Sequence, residues 1–566
     1  LFSRWVIGTW PLTTHSSLNI SDVWSFAAEL VRDLDLATLV VVSVGVNRDV
    51  PVKSVIELDQ PKLLFSREDH AVTRMANLLA DAIEEAMDVL DLPVNSSFVD
   101  ALVKVSLGFA SIRRINSDGL LDYRLARVAD LDDGVKAFLV TTFSNIIQIP
   151  SDYEVLLKAP NYIRTDLVSQ LSAMRAQDIL DYMGFTVFVY LAPFLPKMQS
   201  SIRSLFLKTA LGRFGPDPTD TSLLCFYAVH RLLPACFAKA ALLHQRSTNN
   251  DVSARDWIQR LEAVFIEQLG RLTWVDNLSA LLVRYRLRRN PVASFPETSA
   301  FGSDECVYPE TAHHLHPLSP LQSLFDISIL NQQRKLQTVL MDGEKAKCRL
   351  SGFDLWTEPK YDPTRQKVGL PLALFNSSVP SKSHAFAFHL SRVAVRFYRA
   401  LLHALSENDY EHEIPFSLSE ESQRIFNSLL DCLKGDFGQL PASLLVPTSQ
   451  DDETQLSALL NQTAALQLSL EAFHQALHTR RIWNLDFRFE EFPELSADQL
   501  FFVYYALDNC ESVGAVHVVD QDVTLPARYR VNLPLRHLDQ FSSAFKCPKG
   551  SALSALYKCS VFGEHL

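Results

Sequence analysis

Apolar residues recur three and four positions apart through most of residues 21–289, most clearly over 70–90 and 256–272. A period near 3.6 places such residues on one stripe of an α-helix, and a helix with one greasy stripe must bury it against another element. A succession of these segments commits the chain to helix-on-helix packing. At 566 residues the chain is also too long for a single core, so at least two lobes are expected. One stretch departs from the helical period: residues 38–46 are β-branched, stop before Asn47 and read as a strand.

Residues 290–320 carry Pro, Ser and His with little periodicity, which reads as a long loop or a boundary. A second polar break, Pro447-Thr-Ser-Gln-Asp-Asp-Glu-Thr454, separates two helical stretches. No internal repeat or low-complexity tract is present. The expected organisation is a mainly helical region over 1–300, a connecting segment over 301–340 and a C-terminal domain over 341–566. The fold class expected is mainly α with a small β component.

Several classes of partner are excluded by composition. With 53 Lys and Arg against 65 Asp and Glu, the formal net charge is −12, and no concentrated basic stripe offsets it. Such a chain is a poor binder of phosphate backbones, so no nucleic-acid partner is expected. Hydrophobic residues at 48% and charged residues at 21% argue against disorder. The longest apolar runs, 36–46 and 183–196, are too short to cross a bilayer, so no transmembrane segment is expected in this chain. It begins at Leu1 with no charged stretch leading into an apolar core, so no signal peptide is visible.

The eight cysteines, Cys225, Cys236, Cys306, Cys348, Cys432, Cys510, Cys547 and Cys559, include no Cys-x-x-Cys pair, which argues against a zinc ribbon. Four lie in the last third, consistent with a disulfide-stapled C-terminus or with reduced, buried thiols. The acceptor pattern Asn-x-Ser/Thr occurs at Asn19, Asn95, Asn277, Asn376 and Asn461, the last in a helical stretch. The first four are taken as candidate glycosylation sites on the secretory route.

Short blocks spread along the chain resemble one family in order. Glu57-Leu-Asp-Gln-Pro61 with Ser66-Arg67, Leu272-Thr-Trp-Val-Asp276 and Tyr361-Asp-Pro-Thr-Arg365 running into Val368-Gly-Leu-Pro371 are three of them. Ala497-Asp-Gln-Leu-Phe-Phe502 with Cys510, Arg528-Tyr-Arg-Val-Asn532, Phe545-Lys-Cys547 and Lys558-Cys-Ser-Val-Phe562 complete the set. Together they resemble the neprilysin and endothelin-converting-enzyme family of zinc metallopeptidases. The resemblance implies a two-lobed ectodomain around an internal chamber, with one thermolysin-like lobe. It further implies an extracellular place, either secreted or as the ectodomain of a type II membrane protein. The family's closing cysteines bond partly to N-terminal ones, and no cysteine precedes Cys225 here. Either the N-terminus is missing or those bridges are gone; the expectation adopted is an N-terminally incomplete chain. Cys432 with Cys559 is the one family pairing that remains.

A peptidase of this kind needs three protein ligands and an open position for water. A His-Glu-x-x-His helix supplies two imidazoles on one face with a glutamate base between them, and a second helix adds a glutamate and an orienting aspartate. No His-Glu-x-x-His occurs in this chain. By resemblance, the two histidines fall at Val395 and Arg399 and the base at Arg396. The third ligand falls at Ala458 and the orienting aspartate at Gln462. The family's transition-state histidine falls at Thr524 and its Asn-Ala pair at Glu358 and Pro359, while its substrate-gripping arginine is retained as Arg530. Valine has no lone pair to give, and guanidiniums oppose a bound dication. The expectation is therefore a chain with no cofactor where the family binds zinc, a pseudopeptidase holding peptides or a partner protein. The alternative is an active zinc endopeptidase with a relocated site at His474 and His478, four residues apart with Glu490, Glu491 and Glu494 downstream. His313, His314 and His316 read as a solvated loop. Arg530 has two readings, a remnant peptide contact or a partner for a carboxylate at the lobe interface. No Gly-x-Ser-x-Gly, phosphate loop or dinucleotide fingerprint is present.

Overall fold

The computed structural model describes residues 2–12, 18–46, 54–65, 70, 73–93, 95–112, 124–192, 200–211, 221–233, 251–272, 274–281, 293–294, 316, 319–340, 359–362, 367–370, 385–406, 419–437, 453–479, 488–510, 527–559 and 561–562. Its apolar residues gather into two hydrophobic cores. The first contains α1 (Ile20–Leu34), α2 (Thr73–Val89), α3 (Ser96–Ile112), α4 (Asp133–Thr142), α5 (Leu167–Ala173), α6 (Ala176–Tyr190) and α7 (Ser200–Leu211). Helix α1 starts at Asn19, whose side-chain oxygen accepts from the Ser21 and Asp22 amides while Asp22 returns a bond to the Asn19 amide. This reciprocal box is what makes the helix begin there. The part of the apolar run that is described, 183–192, forms the end of α6 and the two residues after it and is buried as core.

Beside these helices lies a four-stranded sheet of β1 (Val41–Val46), β2 (Ser54–Asp59), β3 (Arg124–Arg127) and β4 (Glu154–Leu157) in the order β1-β2-β4-β3. Strands β1 and β2 run antiparallel with Val41 opposite Asp59, and β2 pairs in parallel with β4, Ile56 opposite Val155. Glu57 of β2 is buried, paired with Lys158 at 2.8 Å and accepting from the Ser43 hydroxyl at 2.8 Å. A Cβ at Gly45 would collide with that carboxylate, so glycine there is what lets Glu57 lie across the strand.

The second core holds α9 (Asp251–Leu269), which follows α8 (Thr221–Leu232), and then elements from residue 368 onward. Helix α10 (Pro320–Gln337) returns to the first core, where Phe325 meets Trp5 at 5.7 Å and Lys335 pairs with Asp35 at 2.8 Å. Core membership thus does not follow the sequence boundaries at 300 and 340: α9 packs with the C-terminal core and α10 with the N-terminal one. An amphipathic stripe states that a helix must be covered but not by what. A small sheet joins β5 (Ala293–Ser294), β6 (Lys360–Asp362) and β7 (Lys367–Gly369).

The remaining helices are α11 (Ala385–His389), continued through one π turn at Leu390–Ala394 into α12 (Val395–Ser406), then α13 (Glu420–Phe437), α14 (Glu453–Thr479), α15 (Ala497–Asp508), α16 (Ala527–Arg536) and α17 (Asp539–Ala544). Helix α12 packs along α14. Tyr398 is fully buried and donates to the Leu261 carbonyl at 2.8 Å, tying α12 to α9. The block at 272–276 also finds its purpose here. The Trp274 indole donates to the Val561 carbonyl, and the Ser422 hydroxyl at the start of α13 donates to Asp276 at 2.9 Å. No helix among the described residues is long and apolar enough to cross a membrane.

Helix α13 is fastened to the C-terminus twice. Cys432 forms a disulfide with Cys559, closing a separation of 127 residues. One turn later Asp436 takes both nitrogens of the buried Arg536 fork, at 2.8 and 2.9 Å, with His537 against it at 3.4 Å. Burial would raise the Asp436 carboxyl, but His537 and Arg536 outweigh it and hold its pKa well below the usual range.

Replacing Asp436→Asn leaves the Arg536 charge buried and uncompensated, and should cost about 3–5 kcal/mol in denaturant unfolding. The double variant Asp436→Asn, Arg536→Leu should recover most of that loss. In the first core, Asp181 accepts from the Leu12 amide at 2.8 Å, and burial pushes its carboxyl up to about 7 despite that bond. Its folded pKa lies above the ordinary carboxylate value, so the fold binds the proton more tightly and stability falls as pH rises from about 4 to 7. Asp181→Asn keeps an acceptor for Leu12. It should stabilise the protein more near pH 8 than near pH 5, by a difference of roughly 1–3 kcal/mol in melting experiments.

An arginine cluster among four helices

The π turn at Leu390–Ala394 and the first turn of α12 carry Arg392 and Arg396, four residues apart. That spacing stacks them on one face, and both reach the end of α15. Arg392 Nε lies 3.0 Å from Asp508 Oδ1, and Arg396 Nη2 lies 2.8 Å from Asp508 Oδ2. The carboxylate is largely buried, with 11% of its side chain exposed. Arg392 also sits over the Phe388 ring at 5.7 Å.

One turn further along α12, the Arg399 guanidinium reaches the Gln462 amide oxygen of α14 at 3.5 Å. Gln462 donates to the Tyr505 hydroxyl at 3.0 Å, and Tyr505 donates to the Arg530 carbonyl of α16 at 2.9 Å. The chain of contacts therefore crosses α12, α14, α15 and α16. Burial pushes the Tyr505 phenol up to about 12, against the opposing pull of Gln462, Arg399 and Arg530. Arg399 is held below the usual arginine range, first by burial and then by the Arg530 charge, with Tyr505 and Asp508 partly offsetting both. It remains a cation at any physiological pH. His389, at the end of α11, is likewise lowered by burial and by the Arg392 charge.

Of the positions singled out in the sequence, Arg396, Arg399, Gln462 and Arg530 come together. Val395 turns into the second core, and Ala458, one turn before Gln462, is exposed. Thr524, Glu358, Asn376, Cys236, Cys306, Cys348, His313 and His314 lie outside the described residues. Sequence reasoning missed Arg392, Asp508 and Tyr505. The four-residue spacing of Arg392 and Arg396 was a readable sign, whereas Asp508 belongs to a helix far away in sequence.

These side chains do not fit zinc. Val395 and Ala458 offer no donor, Gln462 offers one amide oxygen already facing a guanidinium, and the guanidiniums of Arg396 and Arg399 have no lone pair to give a metal. The second histidine pair is engaged elsewhere. His474 Nε2 lies 2.8 Å from Asp498 Oδ1, and His478 is exposed. Burial would lower His474, but Asp498, with Glu471 adding to it, holds it above the usual histidine value. Among the described residues no group of three or more His, Cys, Asp or Glu side chains is arranged to hold a metal.

Asn19, Asn95 and Asn277 are exposed, whereas Asn461 is buried within α14. Cys225 and Cys510 are exposed free thiols and Cys547 is half-buried and free.

Two family models, both described as peptidase family M13, match residues 6–280 and 360–561. Membrane metallo-endopeptidase-like 1 of Mus musculus is 21% identical over 56% of this chain, which spans 42% of that protein's length. Neprilysin-21 of Caenorhabditis elegans is 19% identical over 98% of this chain and 75% of its own. A zinc metalloprotease from Mycobacterium tuberculosis, Zmp1, solved in complex with an inhibitor, superposes with a TM-score of 0.71 at 12% identity, covering 97% of this chain and 84% of that one. The fold is the mostly helical neprilysin-like fold. With two matched models that together account for most of its length, the chain belongs to peptidase family M13.

Proposed function

We propose that this chain is a non-catalytic member of the family, a pseudopeptidase that binds a peptide or a partner protein without hydrolysing it. One observation carries the reading. Arg396, Arg399 and Gln462 stand, by sequence resemblance, at the positions of the general base, the second imidazole and the orienting carboxylate, and they are locked into a network with Asp508, Tyr505 and Arg530. A guanidinium has no lone pair with which to accept a proton or bind a metal. Two of them opposite a dication raise its energy by several kcal/mol even at an effective dielectric near 20.

The same reading places the chain on the extracellular side, either secreted or as the ectodomain of a type II membrane protein. The Cys432–Cys559 disulfide supports an oxidising compartment. The exposed acceptor positions Asn19, Asn95 and Asn277 are compatible with glycosylation there.

Elemental analysis of purified protein after dialysis against zinc should return far less than one metal per chain. Zinc should not induce cleavage of a fluorogenic peptide above a chelated control. Stoichiometric zinc that disappears in His474→Ala would establish the relocated metal site and overturn the proposal, as would zinc-dependent turnover.

A further inference from the structure

We propose that Asn277 bears an N-linked glycan whose first sugars lie over Leu278 and Leu281, two leucines that the chain itself leaves in solvent. This deepens the placing of the chain on the secretory route and rests on it. A helical turn spans residues 277–281 and is opened by Asp276, whose carboxylate accepts from the Leu278 and Ser279 amides, each at 2.9 Å. The turn has a buried side and an open one. Ser279 is 4% exposed, whereas Leu278 and Leu281 keep 64% and 62% of their surface in solvent. At about 100° per residue, positions 277, 278 and 281 fall on one outward stripe. Asn277 and Leu281 are one turn apart, with Cβ atoms about 5–6 Å from each other. A helical side chain leans back over the turn that precedes it, so Leu281 leans toward the residue that would bear the sugar.

The other two exposed acceptor asparagines have a second task. Asn19 and Asn95 use their side-chain oxygens to cap α1 and α3, accepting from the Ser21 and Ser97 amides. Asn277 leaves capping to Asp276, and its side chain makes no hydrogen bond to a described residue. A sugar on its nitrogen therefore disturbs no contact. Two leucines three residues apart beside that nitrogen form a small patch, which the C–H faces and acetyl methyl of the first sugar can screen from water. Transfer from a lipid-linked oligosaccharide diphosphate forms a bond between Asn277 Nδ2 and the anomeric carbon and breaks that carbon's bond to the phosphate oxygen. The lipid diphosphate leaves and one amide proton passes to a base of the transferring enzyme. The acceptor pattern also needs the Ser279 hydroxyl. In the folded protein that hydroxyl donates to Asp276 at 2.6 Å and accepts from the Ser419 amide at 3.0 Å, 140 residues further along. Transfer accordingly precedes the closing of this joint.

The test begins with protein secreted from animal cells behind a cleavable signal peptide. Peptide mapping after enzymatic glycan release in heavy-oxygen water marks each asparagine that bore a sugar, and Asn277 should be marked in most chains. Hydroxyl-radical footprinting then reads side-chain exposure as oxidation. Leu278 and Leu281 should oxidise severalfold more slowly in the glycosylated protein than in Asn277→Gln. Leu340, 60% exposed on the turn after α10, should oxidise equally in both. Enzymatic removal of the glycan from the folded wild type should give the same rise at the two leucines, which keeps the test decisive if the variant fails to fold. An empty Asn277 beside an occupied Asn19 or Asn95 would overturn this inference and leave the secretory placing standing. Three empty acceptors would overturn it and remove glycosylation as support for that placing. Leucines oxidised equally with and without the glycan would overturn the cover, and leucines protected in both states would assign the surface to a protein partner instead. None of these outcomes touches zinc binding, which tests the pseudopeptidase reading by itself.

Discussion

The interface of α12 with α14 is the contact around which the second core is arranged, apolar along most of its length and with the Arg399 guanidinium set against Gln462 within it. Tyr398 and its neighbour Phe397 are buried into the lobe, while Arg396 and Arg399 point to the other side. A buried guanidinium is costly unless something answers it. Asp508 answers Arg392 and Arg396 at the end of α15, and Gln462 and Tyr505 carry the polar contacts on toward Arg530. The positions of α15 and α16 relative to α12 therefore follow from where these side chains must be satisfied, as well as from the packing of Phe501, Leu500 and Leu533.

Much of this was legible in the sequence where the signal is local. The helix over 70–90 appears as Thr73–Val89, and the strand expected over 38–46 as Val41–Val46, because period and β-branching act within a few residues. The disulfide partners Cys432 and Cys559 were legible only through family resemblance, since spacing alone leaves many pairings open. The return of α10 to the first core and the capture of α9 by the second were not legible. Nor were the ties of Asp181 to Leu12 and of Asp436 to Arg536, across 169 and 100 residues. Such pairs leave no trace in a window of neighbouring residues.

The site divides along the same line. Arg396, Arg399 and Gln462 could be singled out only through family resemblance, which says where the motif positions fall. The partners that make them a cluster come from elsewhere: Asp508 and Tyr505 from α15, and the carbonyl of Arg530 from α16. The π turn before α12 adds a further element that periodicity does not reveal, since one extra residue per turn rotates the following face.

A metal site and an arginine cluster differ less than the loss of a motif suggests. Zinc in a peptidase offers a concentrated positive charge that draws a carbonyl oxygen and activates a bound water. Guanidiniums at the same positions, as proposed here, retain the first of these effects and abolish the second. They attract oxygen and hold it by hydrogen bonds, yet they provide no open coordination site and no lone pair for a base. A site converted in this way keeps its attraction for oxygen while losing the means to attack it. By the family resemblance, one ligand position and the base position of α12 carry arginines, side chains that can hold an oxygen but have no lone pair with which to activate one.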